Sequence, residues 1–287
     1  MLLRGKERFM SNIRLIATDL DGTFFDAHSQ IIPANVDAFR QAQASGIAVA
    51  ICSGRCPVDI RYVHRQMGLD TWIIGFNGAV VREPGAPADI FCQPLERPAL
   101  ERLLTFLEED QDVYYNMCTV GLRYLMARGR HRARAESGRL HLGAHGVQTH
   151  FIDSWREIPE AELDRCMKVI ASSPDQPEAE RLKRDAAGAG FPLTITSSWW
   201  NNIEVVARGV DKGVGIQRLC DHLGISTADV MVLGDQKNDL PMFRVAGWPV
   251  AMANGDEAVK AAARIVTASN DEAGVAQAVR RYALRQL

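Results

Sequence analysis

Short apolar runs alternate with amphipathic stretches in two separate parts of this chain. In the first part, Leu15–Thr18, Ala48–Cys52 and Trp72–Gly75 read as strands, with helices near Asn35–Ala44 and Pro57–Met67. In the second, a helix from about Gly213 to Leu223 precedes a strand at Val230–Leu233. A helix near Leu240–Val245, a strand at Trp248–Met252 and a helix near Glu257–Ala263 follow. Strands and helices that alternate in this way predict a parallel sheet. Runs rich in Ile and Val suit strands covered on both faces. The two parts together predict one doubly wound α/β core.

Between them, after Pro84-Gly-Ala-Pro87, the texture changes. Helices are expected at Pro98–Glu109, over part of Arg130–Leu142 and at Pro177–Ala187. Strands are expected at Val113–Asn116, Leu122–Ala127, Cys166–Ala171 and Leu193–Thr196, with another near Ile203–Val206. The mixed order predicts an α+β insertion over residues 84–196, set into a core of 10–83 and 197–287.

Composition narrows the function classes. The 287 residues carry a formal net charge of -2 with both signs mixed throughout, which leaves no basic stripe for nucleic acid. The one dense basic run, Arg128–Arg134, reads as a solvated helix start or as an attractor of anions. No apolar stretch approaches the roughly 20 residues that cross a bilayer, and no apolar leader region opens the chain. A cytoplasmic protein is therefore expected; a monomer or weak homodimer is expected as well, although no feature of the sequence fixes the oligomeric state. Met1–Phe9 is charged and patternless, and Met10 is an alternative start. The six cysteines show no C-x-x-C spacing and read as reduced thiols.

The chemistry concentrates where apolar runs end. Ile13–Thr18 empties into Asp19-Leu-Asp21-Gly-Thr. A carboxylate at such a strand end is able to attack phosphorus or to bind a hard cation, and a second one to move a proton. A plain Asp-Gly turn is the alternative. Ala48–Cys52 ends in Ser53-Gly54-Arg55, where the hydroxyl and the amides suit a phosphoryl oxygen or a helix N-cap. Arg55 reaches either substrate or its own helix. Lys212 opens a helix, an end already positive, which points to an anion or to a surface lysine. Val230–Leu233 empties into Gly234-Asp-Gln-Lys-Asn-Asp239. There Asp235 suits a Mg²⁺ site with Asp19 and the Asp21 carbonyl, because that ion takes a few protein oxygens plus water and phosphate. Asp239 joins the metal set in a supporting place.

D-L-D-G-T, a hydroxyl, a lysine and G-D-x-x-N-D, in this order, resemble the haloacid dehalogenase-like superfamily over about residues 15–280. The place of the insertion and Phe76-Asn77-Gly-Ala79 resemble its Cof-type branch, with a large α+β cap (type IIB). The resemblance implies a Mg²⁺-dependent phosphatase of sugar phosphates or other small phosphomonoesters. It makes Asp19 the nucleophile and Asp21 the acid and base, with Ser53, Gly54, Lys212 and Asn238 holding the phosphoryl group. Gln236-Lys237 departs from the small or acidic residues common in that loop. Two other enzymes share these features: a phosphohexomutase, and a phosphatase of nucleotides or of cofactors such as flavin or pyridoxal phosphate. A binding protein on an inactive phosphatase fold is a third reading. Specificity is expected from the cap and its hinges. Asn77, Trp199, Trp200 and Asn202 are its candidates, with Arg123, Tyr124 and His150 beyond them. At strand spacing one of the paired indoles would face the core and the other the cap surface.

Overall fold

The structure is a computed structural model that describes residues 12–127, 132 and 143–286. Residues 1–11, the expected helix within Arg130–Leu142 and nearly all of the basic run lie outside the described residues.

The chain begins with β1 (Leu15–Thr18), α1 (Pro33–Ala44), β2 (Ala48–Cys52), α2 (Pro57–Met67) and β3 (Trp72–Gly75), as the pattern predicts. Two short strands that the pattern did not reveal follow, β4 (Val80–Arg82) and β5 (Asp89–Cys92). Later come α6 (Lys212–Leu223), β12 (Val230–Gly234), α7 (Leu240–Val245), β13 (Trp248–Ala251), α8 (Glu257–Ala262), β14 (Ile265–Val266) and α9 (Gly274–Ala278). These strands form one eight-stranded sheet in the order β14-β13-β12-β1-β2-β3-β4-β5. It is parallel from β14 to β3 and antiparallel at β4 and β5.

Alternate residues of β1 serve opposite layers. Leu15 and Ala17 pack with Ile216 and Leu219 of α6, while Ile16 packs with Phe39 of α1. Both faces are thus buried, which is why the strand reads as an unbroken apolar run. Pro57 opens α2 and the left-handed Gly68 (φ 58°) closes it. Asp211 caps α6 by accepting from Val214 N at 2.9 Å.

The cap comprises α3 (Arg97–Glu109), β6 (Tyr114–Cys118), β7 (Leu122–Met126), β8 (Gln148–Ile152), α4 (Glu160–Leu163), β9 (Lys168–Ser172), α5 (Gln176–Gly188), β10 (Leu193–Thr196) and β11 (Asn202–Ala207). Its sheet runs β10-β11-β9-β6-β7-β8, antiparallel except for the β7–β8 pair. The change of sheet corrects the expected limits of 84 and 197. β5 pairs with β4 in the first sheet, and β11 pairs with β9 in the second. The Pro84–Pro87 break is therefore the turn of a β4–β5 hairpin rather than a hinge. One face of the cap sheet is closed by Leu100, Leu103 and Leu107 of α3 and Leu182 of α5, packed on Tyr115, Met117, Tyr124 and Met126. The opposite face turns to the ends of the core strands.

Candidate active site

Parallel pairing aligns the carboxyl ends of neighbouring strands. Thr18 of β1 stands opposite Leu233 of β12 and Ile51 of β2, so the residues that follow these strands meet at one edge. Asp19 N donates to Leu233 O (3.0 Å), Ser53 N to Ile74 O (2.9 Å) and Asn77 N to Ser53 O (3.0 Å). Asp235, Asp19, Ser53 and Asn77 are thereby set in a row.

Gly22 makes the first loop possible. Its φ is +74°, and a Cβ there would collide with Asp235 Oδ2. Thr23 Oγ1 donates to Asp235 Oδ1 at 2.8 Å, tying this loop to the one after β12. The Asp-Gly pair is thus a turn, as its composition suggests, and one that seats two carboxylates together.

Lys212 is fully buried, not a surface lysine, with Nζ 2.7 Å from Asp19 Oδ2 and 2.6 Å from Asp239 Oδ1. Burial opposes its charge, but the two carboxylates outweigh burial and keep the ammonium protonated. Burial raises Asp19 from 3.8 to about 7, against the attraction of Lys212 and with further repulsion from Asp239 and Asp235. It raises Asp235 to about 6, aided by Asp239. One carboxylate oxygen from each of Asp19, Asp235 and Asp239 falls within 4.8 Å of the others. Three buried acids around a single lysine leave negative charge uncompensated, and their hard oxygens fit a divalent cation such as Mg²⁺.

Asp239, expected in the metal set, lies in that cluster and has further partners. Oδ1 accepts from Lys212, and Oδ2 accepts from the amides of Asp235 (2.9 Å) and Gln236 (3.0 Å). It fixes the lysine and the loop, and Asp19 and Asp235 are hydrogen-bonded in their turn, Asp19 Oδ1 by Leu20 N at 2.7 Å and Asp235 Oδ1 by Thr23. Gln236 Nε2 donates to Asp235 Oδ2 at 3.2 Å, whereas Lys237 points outward to Asp256 at 3.6 Å and leaves the carboxylates alone.

Ser53 is 1% exposed, and its hydroxyl accepts from Arg55 N at 3.3 Å. The helix-cap reading of Ser53 fails because Cys56 caps α2. Asn238 is buried with Oδ1 unpartnered. Arg55 grips Asp21 with two bonds, Nε to Oδ2 (2.9 Å) and Nη2 to Oδ1 (2.6 Å), and also reaches Asp59 Oδ2 at 3.3 Å. Asp59 Oδ1 in turn meets His145 Nδ1 of the cap at 2.5 Å, and that ring stacks on Tyr62 at 3.9 Å. Sequence reasoning overlooked this line from Asp21 to the cap.

It also overlooked Lys168 and Glu204. Lys168 Nζ donates to Gly54 O at 2.8 Å and lies 3.0 Å from Glu204 Oε2. Asn77 Nδ2 and Ser198 Oγ donate to the same carboxylate at 2.5 and 2.7 Å. Burial alone would raise Glu204, but Lys168 and these hydrogen bonds hold it below its ordinary value. The network joins core to cap beneath Gly54. Its signal in the sequence was a single charge inside each of two apolar runs, Met167-Lys-Val169 and Ile203-Glu-Val205.

Asp19, Asp21, Ser53, Gly54, Arg55 and Asn238 share a cavity of about 360 Å³ with Arg123, Lys168, Trp199 and Glu204 of the cap side. The paired tryptophans depart from the strand reading. They lie in the turn between β10 and β11, 61% and 46% exposed, and only Trp199 reaches this cavity. Asn202 Oδ1 accepts from the amides of Ser198 (3.3 Å) and Trp199 (3.2 Å), so it shapes the turn and does not face the cavity. Tyr124 belongs to the helix-covered face of the cap sheet and stacks on His150 at 5.4 Å. Both point away from the site.

The comparisons agree with this architecture. A family model described as haloacid dehalogenase-like hydrolase matches residues 16–279. Phosphatase YwpJ of Bacillus subtilis (strain 168) is 31% identical over 284 residues, covering 92% of this chain and 98% of that protein. The 5-amino-6-(5-phospho-D-ribitylamino)uracil phosphatase YwtE of the same organism is 30% identical, covering 92% and 96%. Among solved structures, a haloacid dehalogenase-like hydrolase from B. subtilis superposes with a TM-score of 0.83 at 29% identity, covering 93% of this chain and 99% of that one.

Proposed function

The chain belongs to the haloacid dehalogenase-like hydrolase family as a phosphatase of the Cof type, and we propose that it is Mg²⁺-dependent and releases phosphate from small phosphomonoesters, sugar phosphates foremost. The observation that carries this reading is the meeting of Asp19 and Asp235, at the ends of β1 and β12, with Lys212 at the start of α6, beside a cavity that Asp19 and residues of the cap line.

In this mechanism Asp19 attacks phosphorus and becomes an aspartyl phosphate, while the phosphate–oxygen bond to the leaving group breaks. Asp21, aimed by Arg55, gives that oxygen its proton. The same carboxylate then takes a proton from water as the water attacks phosphorus and frees Asp19. Lys212 holds Asp19 in place and offsets negative charge as it builds. Ser53, the amide of Gly54 and Asn238 steady the phosphoryl oxygens. Mg²⁺, held by Asp19, Asp235 and the Asp21 carbonyl, would polarise the phosphoryl group and offset its charge.

A second reading has an observation behind it. YwtE acts, by its name, on a ribityl phosphate joined to a heterocycle. The exposed Trp199 and the apolar Leu122, Val147 and Ile170 of this cavity suit such a ring.

The test is phosphate release from a panel of sugar phosphates, cofactor phosphates and ribitylaminouracil phosphate, with Mg²⁺ or EDTA. Release that needs the metal and disappears in Asp19→Asn is the expected result. Release that survives EDTA, or interconversion of hexose phosphates without release, would contradict it.

A further inference from the structure

Among the described residues that line the cavity, one cation lacks a counter-charge. Arg55 is paired with Asp21 and Asp59, and Lys168 with Glu204. Among the described residues Arg123 has no ion pair, and its Nε is shut off from solvent without a hydrogen-bond partner. Arg123 stands opposite Cys118 on β6 and opposite Thr149 on β8. Directly opposed residues share a face of a sheet, and Cys118 and Arg123 both line the cavity. Thr149 is therefore on the cavity side of the cap sheet. Its Oγ1 is likewise buried and unpartnered. So is Oδ1 of Asn116, which precedes Cys118 by one strand repeat on that face.

Their neighbours along the wall, Leu122, Val147 and Ile170, offer no polar partner. Burial pulls the Arg123 guanidinium below its ordinary pKa without making it neutral. A partly buried charge without an ion pair is costly, and a planar fork of N–H donors matches a carboxylate or phosphate with two hydrogen bonds. The transferring phosphoryl group is met by Asp19 and Lys212 on the core wall, whereas Arg123 approaches from the cap wall. We propose that Arg123, with Thr149 beside it, binds a second anionic group on the leaving-group end of the substrate, a carboxylate or a second phosphate. This inference rests on the phosphatase reading for which end of the substrate is which. The favoured substrates are then phosphomonoesters of acids or bisphosphates rather than of neutral alcohols.

The test compares matched pairs by calorimetric binding to the full chain carrying Asp19→Asn. The pairs are 6-phosphogluconate against glucitol 6-phosphate, 3-phosphoglycerate against glycerol 3-phosphate, and fructose 1,6-bisphosphate against fructose 6-phosphate. At least one anionic member should bind about ten-fold or more tightly than its neutral partner. The pair that shows this distinguishes carboxylate from phosphate. Adding Arg123→Gln should bring that ratio close to one, Thr149→Val should lower it, and Arg123→Lys should restore part of it. Each ratio is taken within one preparation, so a general loss of folded protein cancels. Ratios near one for every pair, no binding of any anionic member, or a ratio that survives Arg123→Gln would overturn the proposal. If the wild-type chain released no phosphate from any compound while the ratio held, the phosphatase reading would fall and the anion subsite would stand.

Discussion

The two walls of the cavity are built on opposite plans. On the core wall the charged side chains are tied to one another: Lys212 joins Asp19 to Asp239, Asp239 also holds the loop that carries Asp235, and the buried atoms without a partner there are amide oxygens, Oδ1 of Asn77 and of Asn238. On the cap wall the β6–β8 face leaves Asn116, Arg123 and Thr149 with buried polar atoms unmatched. A closed network fixes geometry before substrate arrives, which serves a reaction common to many substrates. Unmatched donors and acceptors wait for a partner, which serves choice among them.

The largest effect should follow from breaking the core wall. Lys212→Ala leaves two buried carboxylates without their cation, and kcat/KM should fall about 10³-fold. The fall should be the same for every substrate. A loss that differed more than about ten-fold between substrates would assign Lys212 to selection and erase the contrast between the walls.

Glu204→Gln addresses the junction. It strands Lys168, 3% exposed, without a carboxylate and should destabilise the protein by about 3 kcal/mol. Because Lys168 and Asn77 fasten cap to core beside Gly54, the ranking of substrates should change along with the rate. An unchanged ranking with the expected loss of stability would make the network purely structural.

A smaller effect comes from pH. Asp19 lies near 7 and Asp235 near 6, both above an ordinary 3.8, so between about pH 4 and 7 the folded metal-free chain keeps protons that the unfolded chain has lost. The contribution of these two groups to stability is thus complete below about pH 4 and is lost as pH rises through 6 and 7. Mg²⁺ competes with the same protons and should raise the melting temperature more at pH 8 than at pH 5. An equal rise at both, or none, would contradict the cation site read from these carboxylates.

The contrast also explains what was legible in the sequence. Residues at the ends of parallel strands announce themselves, because the apolar run stops at Asp19, Ser53 or Gly234 and the register of the sheet does the rest. Asp239 was seen, but spacing alone did not show that its oxygens also hold a lysine and two amides. The short β4 and β5 strands hid behind a Pro-Gly turn, and β8 carried too few apolar residues to mark it. Arg123 and Tyr124 are adjacent in β7, yet one faces the cavity and the other the helices. Only the register with β6 and β8 decides which. Trp199 and Trp200 misled for a related reason: a turn, not a strand, holds them, and the period-two argument did not apply.

The most direct test of the account asks whether Asp19 itself carries the phosphoryl group. In Asp21→Asn the base that activates water is gone, while p-nitrophenyl phosphate, whose leaving group needs no proton, still allows the first step. Rapid acid quench with labelled phosphate should then find hydroxylamine-sensitive label on the protein, in the peptide that contains Asp19. Turnover without any labelled protein, or label on another residue, would contradict the account.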